Sequence, residues 1–341
     1  YGNIANGYQA LTANTTGYGN IANGYQALTA NTTGYDNIAN GYQALVRNIT
    51  GYGNMAGGYQ ALERNTTGTN NTAIGYEALK NNSTGDSNIA SGYGSLRYNL
   101  SGSHNIALGA NSLNKNKWGT SNIAIGKSSL EDNLSGSYNI AIGENSLSET
   151  IGNYNNAIGR GSLRRNTTGA HNNAIGQDAL NSNTTAEHNT AFGHNSLYTN
   201  TTGTGNVANG TESLRKNLSG SYNTAIGFYA GNENYVTSNN TFIGANADLN
   251  SWAASWSQST ALGYNAKITA SNQIMLGTST ETVVIPGDLS LNGSVSFPVG
   301  SISASAISGG SSGAQGATGA QGATGAQGAT GTGGSTGAQG A

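Results

Sequence analysis

The chain has no cysteine, only two prolines, and just 8% charged residues among its 341. Without cysteine there are no disulfides, no thiolate catalysis and no sulfur-ligated metal, and the redox compartment is left unmarked. Thirteen Lys and Arg stand against fifteen Asp and Glu, a formal net charge of −2. With no basic stripe to neutralise a phosphate backbone, nucleic acid is not an expected partner. No apolar run approaches the roughly 20 residues a spanning helix needs, so no membrane insertion is expected in this region. Intrinsic disorder usually joins low hydrophobicity to high net charge, and the charge is missing. The chain opens on Tyr1 inside a repeat, with neither Met nor leader, so we expect a segment of a longer gene product whose targeting signals are not visible.

What fills the chain instead is a ruler. Residues 1–17, YGNIANGYQALTANTTG, recur residue for residue as 18–34. Taking the glycine of NIANG as marker, Gly7, Gly24 and Gly41 begin a series of seventeen-residue steps that reaches Gly143. One step of sixteen leads to Gly159, seventeens resume to Gly244, and steps of nineteen and fourteen end at Gly263 and Gly277. Alanine stands two residues before each marker from Ala5 to Ala225, asparagine four before it from Asn3 to Asn223, and leucine four after it from Leu11 to Leu214. Such columns predict coils stacked so that equivalent side chains lie over one another.

Helical repeats need roughly 34 to 45 residues per unit and stronger helix formers than Asn, Gly and Thr. Segments such as NIAIG read as short strands, and NTTG or NLSG as turns in which Asn and Gly supply positive φ. The expected fold is therefore all-β, a parallel β-solenoid with two short strands and two turns per coil. At about 4.8 Å between strands, some seventeen coils would span on the order of 80 Å. The alanine column marks a position where the opposite wall or a second chain packs too closely for a larger side chain. The leucine column is the expected filler. Because Asn6, Asn23 and Asn40 stand where later coils carry Ile74, Ile125 and Ile142, we expect the rod to bury a further face against copies of itself.

The segments NIAIG, NTAIG and TALGYNAKITASNQIMLG resemble the head repeats of trimeric autotransporter adhesins, and look similar to repeats of bacteriophage tail fibres and of fibre proteins of large viruses. The resemblance covers residues 1–278 and is tightest over Ala261 to Gly277, where that family's spacing of about fourteen residues is met; the seventeen-residue period elsewhere departs from it. It implies a left-handed β-roll, closure of three chains into a homotrimer, and a surface that binds host receptors or matrix.

Beyond the ruler, residues 279–309 read as a neck and cap, with strands expected at Val283 to Ile285 and Leu289 to Phe297 around Pro286 and Gly287. In residues 310–341 glycine falls at every third position from Gly310 to Gly340, the spacing of a collagen triple helix, because only glycine fits at the axis where three chains meet. A flexible Gly-rich linker is the alternative.

Several columns are candidate sites. The sequon N-x-S/T recurs at Asn14, Asn31, Asn48, Asn65, Asn82, Asn99, Asn133, Asn166, Asn183, Asn200 and Asn217, and admits either a glycan sheath or plain turn chemistry. Tyr8, Tyr25, Tyr42, Tyr59, Tyr76 and Tyr93 form one aromatic column and Tyr1, Tyr18, Tyr35 and Tyr52 another; each is a platform for sugar rings or a ladder that packs on itself. His104, His171 and His188 share a column without the converging acids or further ligands a metal site needs, and read as turn residues; no metal or cofactor is expected. Acids are too sparse for calcium-binding loops, and no nucleophile, base and orienting group recur at motif spacing, so catalysis is not expected. Trp252 and Trp256, in the nineteen-residue step, read as a collar or a recognition loop. Together these features predict an extracellular fibre on a virion or cell surface that attaches to a host glycan or protein receptor. A self-associating structural filament is the alternative, and an ice-binding rod a third, weakened where the Thr pairs lapse to NLSG.

Overall fold

The structure is a computed structural model and describes residues 2–251 and 255–286. The chain divides into two units, 1–283 and 284–341, and nearly all of the second lies outside the described residues. The collagen-like triplets, the expected strand at Leu289 to Phe297, and Trp252 also lie outside them.

The first unit is a parallel β-solenoid. Strands β1 (Ile4–Asn6) to β15 (Thr241–Ile243) follow at one per coil, then β16 (Asp248–Leu249), β17 (Thr260–Leu262), β18 (Lys267–Ile268) and β19 (Ile274–Leu276). Seventeen strands pair in parallel as one sheet, each with its counterpart in the next coil, while β16 and β18 pair as a second sheet. Ala5 faces Ala22 and Ala22 faces Ala39 across the ladder, so the seventeen-residue ruler is the sheet register.

The expectation of two strands per coil is met only at the C-terminal coils, where the second sheet forms. Elsewhere the side opposite the strand is a chain of turns, with every second residue left-handed: Gln26 at φ 55° and Leu28 at φ 53°, Gln43 at 53° and Leu45 at 52°. These turns are still tied coil to coil through the backbone, Leu28 N–H donating to Ala44 C=O at 3.1 Å and Ala30 N–H to Val46 C=O at 3.0 Å. A left-handed leucine costs roughly 1–2 kcal/mol. Full burial of the same side chain contributes roughly 1.5–3 kcal/mol, so the strain is outweighed at each coil.

The interior is narrow and stacked. From the second coil on, the strand alanines, the leucines and the Ala or Ser preceding each leucine are fully buried. Two asparagine columns are buried with them. Asn37 Nδ2 donates to Asn20 Oδ1 at 3.0 Å and to Gly51 C=O at 2.9 Å, while Asn48 Nδ2 donates to Asn31 Oδ1 at 2.8 Å and to the same Gly51 carbonyl at 2.9 Å. One carbonyl per coil therefore holds both columns. A Cβ on Gly51 would lie 2.4 Å from both Asn48 Oδ1 and Gly68 O, which is why that column is glycine in most coils. Buried amides of this kind are tolerated because each is satisfied by its neighbour above and below.

The irregular steps fall where the stack can absorb them. In the sixteen-residue step, Thr150 takes the place of the turn asparagine and one residue is missing before Gly152, yet β9 (Ile140–Ile142) and β10 (Asn156–Ile158) stay in register. Thr150 Oγ1 accepts from Asn166 Nδ2 at 3.0 Å, and Asn133 Oδ1 is left without a partner. A second break follows Asn217, whose Oδ1 is also unpartnered, since Asn234 bonds Thr237 instead. Further along, Phe242 replaces the strand alanine and is fully buried, and the leucine column carries Gly231, where a Cβ would lie 2.7 Å from the Phe242 ring and 2.9 Å from Leu214 Cδ2. Large and small have exchanged sides, which also shows that the two columns face each other across the coil.

Val283 to Ile285, expected as a strand, form none and are exposed. The last ruler coil ends at β19, and Pro286 follows without an N–H to join a ladder.

The exchange predicts strong coupling. Gly231→Leu alone clashes with the ring and Phe242→Ala alone leaves a cavity costing about 3–5 kcal/mol. The double variant restores the ordinary pair of columns and should recover most of that loss, measured by thermal and denaturant melts in a double-mutant cycle.

Candidate functional site

The outward columns stack side chains at coil spacing, like upon like in the aromatic ones, and what each can bind follows from what the stack leaves uncovered. In the tyrosine column, successive rings from Tyr8 to Tyr93 are parallel, with centroids 5.0–5.3 Å apart and interplanar angles of 6–16°. Tyr18, Tyr35 and Tyr52 form a second ladder at 5.0 and 4.7 Å. The rings stay 41–64% exposed in the first ladder, but it is their edges and hydroxyls that face water. A sugar stacks on a ring face, and here each interior face is covered by the next ring. As platforms along the rod, Tyr25, Tyr42, Tyr59 and Tyr76 are therefore blocked; only the outer faces of Tyr8 and Tyr93 are not stacked on another ring.

The sequon asparagines point inward. Asn31, Asn48, Asn65, Asn82, Asn99, Asn133, Asn166, Asn183, Asn200 and Asn217 are fully buried, and Asn14, in the first coil, is half-buried. Their Nδ2 atoms, the atoms a glycan would occupy, donate to the preceding column member and to the glycine or alanine carbonyl three residues on, as in Asn82 to Asn65 Oδ1 at 2.8 Å and to Gly85 O at 2.9 Å. In the folded coil these amides are turn and core chemistry, and a sheath attached to them is incompatible with the stack.

His171 and His188 stack at 5.0 Å, and His171 on Tyr154 at 5.0 Å, continuing an aromatic ladder from Tyr138. Among the described residues no group of three His, Asp or Glu converges as metal ligands. Trp256 packs half-buried against the core, which accounts for one of the two tryptophans of the nineteen-residue step.

Two features were not anticipated. On the outer face of the long sheet, the residues flanking each buried alanine form an exposed apolar stripe, including Met55 at 42%, Ile74 at 49%, Phe192 at 53%, Ile226 at 42% and Leu262 at 43%. Seventeen parallel strands at about 4.8 Å spread it over on the order of 80 Å. The second is a charge cluster bridging adjacent coils: Lys80 Nζ lies 2.7 Å from Glu77 Oε1 and 3.4 Å from Glu63, and Arg97 2.6 Å from Glu77 Oε2. Partial burial pulls the Lys80 ammonium down, but the hydrogen bond and charge of Glu77, with Glu63, prevail and hold it above the ordinary lysine range. The cluster fastens neighbouring coils.

Asp248, in β16, is nearly fully buried and accepts from the backbone N–H groups of Glu233, at 2.9 Å, and Leu249, at 2.8 Å. Burial pushes its carboxyl up to about 6, with the two backbone bonds and the nearby Lys267 opposing and the Glu233 charge adding to the rise.

No protein-family model matches the chain, and no curated protein matches it as a relative.

Two outcomes follow. Peptide mapping of the chain secreted from a glycosylating host should find Asn31 to Asn217 of the sequon column unmodified in folded material. Because Asp248 holds its proton more tightly folded than unfolded, its contribution to stability is complete below pH 3.8 and fades as pH rises through about 6. The gap corresponds to about 3 kcal/mol. Asp248→Asn should therefore stabilise the C-terminal coils at pH 7.5 and leave them nearly unchanged at pH 4, read as the difference between variant and parent melting temperatures.

Proposed function

We propose that the chain is a fibre segment that assembles as a homotrimer and mediates attachment of a virion or cell surface to a host. In this reading the coils wind left-handed, residues 279–309 form the neck, and the G-X-Y triplets of 310–341 form a triple-helical stalk. The observation that carries it is the apolar stripe on the outer sheet face: soluble monomers rarely expose a continuous apolar surface beyond a few hundred Å². An apolar sheet face repeated at every coil suits burial against two further copies arranged head to tail about a three-fold axis, and the triplet spacing, read as a collagen helix, brings three chains together as well. Three rods side by side present each outward column in triplicate, and weak contacts multiplied along and around such a fibre give strong attachment. No catalytic role belongs to this reading. The stripe also suits open-ended lateral association, the behaviour of a structural filament.

Light scattering on the purified chain discriminates these. A mass three times 34.4 kDa is expected. Ile125→Asp with Ile142→Asp, on the stripe, should yield monomer with the coil spectrum retained. Mass that grows with concentration without limit favours the filament, and a parent chain that is monomeric at micromolar concentration overturns the trimer. Attachment itself is read by adhesion of the labelled trimer to host-type cells or an arrayed glycan set; absence of adhesion to both removes it.

A further inference from the structure

Eight residues after the marker glycines from Gly7 to Gly210 stands a column that is mostly Thr, Ser and aliphatic residues, among them Thr32, Thr66, Leu100, Leu134, Ile151 and Thr201. Its one charged member is Lys117. There the surface opens into a depression of about 400 Å³ lined by Tyr98, Lys115, Lys117 and Leu134. The two walls are neighbouring columns, Tyr98 above Lys115 and Lys117 above Leu134, separated by the buried asparagine column. Tyr98 is 41% exposed and Leu134 37%. Lys115 Nζ is 2.7 Å from Asp132 Oδ1, which with the charge of that carboxylate keeps the ammonium protonated above the ordinary lysine range. Lys117 forms no ion pair among the described residues; its Nζ lies 5.5 Å from the ring centroid of Trp118, itself 52% exposed, and the Arg97 guanidinium lies 5.2 Å from the Tyr98 ring.

We infer that this groove binds an acidic saccharide, its carboxylate or sulfate held between the Lys117 and Lys115 ammonium groups and its ring against Tyr98 and Leu134. The proposal rests on the attachment reading and names the ligand class that such a fibre would take. A depression of this size falls within the range of small-ligand sites and accommodates one or two sugar rings. Tyrosine offers an apolar body with a polar tip, the combination that suits a sugar. An anion replaces the water around a lysine that lacks a carboxylate, and charge-assisted hydrogen bonds are roughly twice as strong as neutral ones. Within the two tyrosine ladders the ring faces are covered by one another, whereas Tyr98 and Trp118 belong to no ladder.

The test titrates the full chain with sialyllactose, with a heparin-derived hexasaccharide and with neutral lactose, by calorimetry and saturation-transfer NMR. Binding of at least one acidic sugar is expected, about tenfold or more tighter than lactose and weakening with salt. Whichever acidic sugar binds assigns carboxylate or sulfate. Lys117→Gln should weaken it about tenfold, Trp118→Ala severalfold, and Lys117→Arg should retain it. Lys127→Gln, at another exposed column, should leave binding unchanged, and melting curves check that every variant keeps its coils. Equal binding of lactose, no binding of either acidic sugar, or acidic binding indifferent to Lys117→Gln overturns the groove. Cell adhesion that persists in Lys117→Gln, with oligosaccharide binding unaffected, sinks the groove and spares attachment; oligosaccharide binding lost in that variant, with no adhesion by the parent, does the reverse.

Discussion

A single translation along the axis governs this molecule. Once the backbone of one coil is hydrogen-bonded to the next around its circumference, every residue must sit above a copy of its own position, and a column survives only if its residue type is compatible with itself at about 4.8 Å. Alanine and leucine satisfy this by close packing, asparagine by passing one hydrogen bond onward, and tyrosine by stacking. A lone charge does not, and only 8% of the residues are charged. Where charge does occur it is commonly answered by the opposite sign one coil away, as in Lys80 beside Glu63 and Lys115 beside Asp132.

The same constraint explains what was legible beforehand. Parallel stacking, the register of the alanines and the interior leucines follow from spacing alone, because columns are a one-dimensional record of a one-dimensional structure. The backbone between the columns is not recorded in this way. Leu28 and Gln26 adopt left-handed φ, a conformation ordinarily left to glycine and asparagine, because ladder bonds and burial on both sides overrule local preference. For this reason the second strand expected in each coil is absent until Asp248 and Lys267, where the regular seventeen-residue period ends. The exchange of Phe242 for alanine with Gly231 for leucine was present in the letters but becomes readable only when the two columns are known to face each other.

Site residues divided along the same line. A sequon is defined by three neighbours in sequence, but whether its amide is offered to solvent depends on which way the turn faces, and here Asn48 and its counterparts face in. Tyr25 and Tyr42 were visible as a column, yet a column of aromatics at coil spacing conceals the faces that would make it a platform. The departures were more informative than the repeats: Lys117, between Leu100 and Leu134 in its column, is a place where self-stacking has been set aside.

The turn-asparagine ladder runs unbroken to Asn133, resumes through Thr150 and Asn166 to Asn217, and stops again. Amides aligned in series polarise one another, so each uninterrupted run behaves as a cooperative block. The two gaps are joints between such blocks. A tensile load drawn along the axis meets its weakest links there, and the rod would part into lengths set by these two gaps rather than fray coil by coil from its tip.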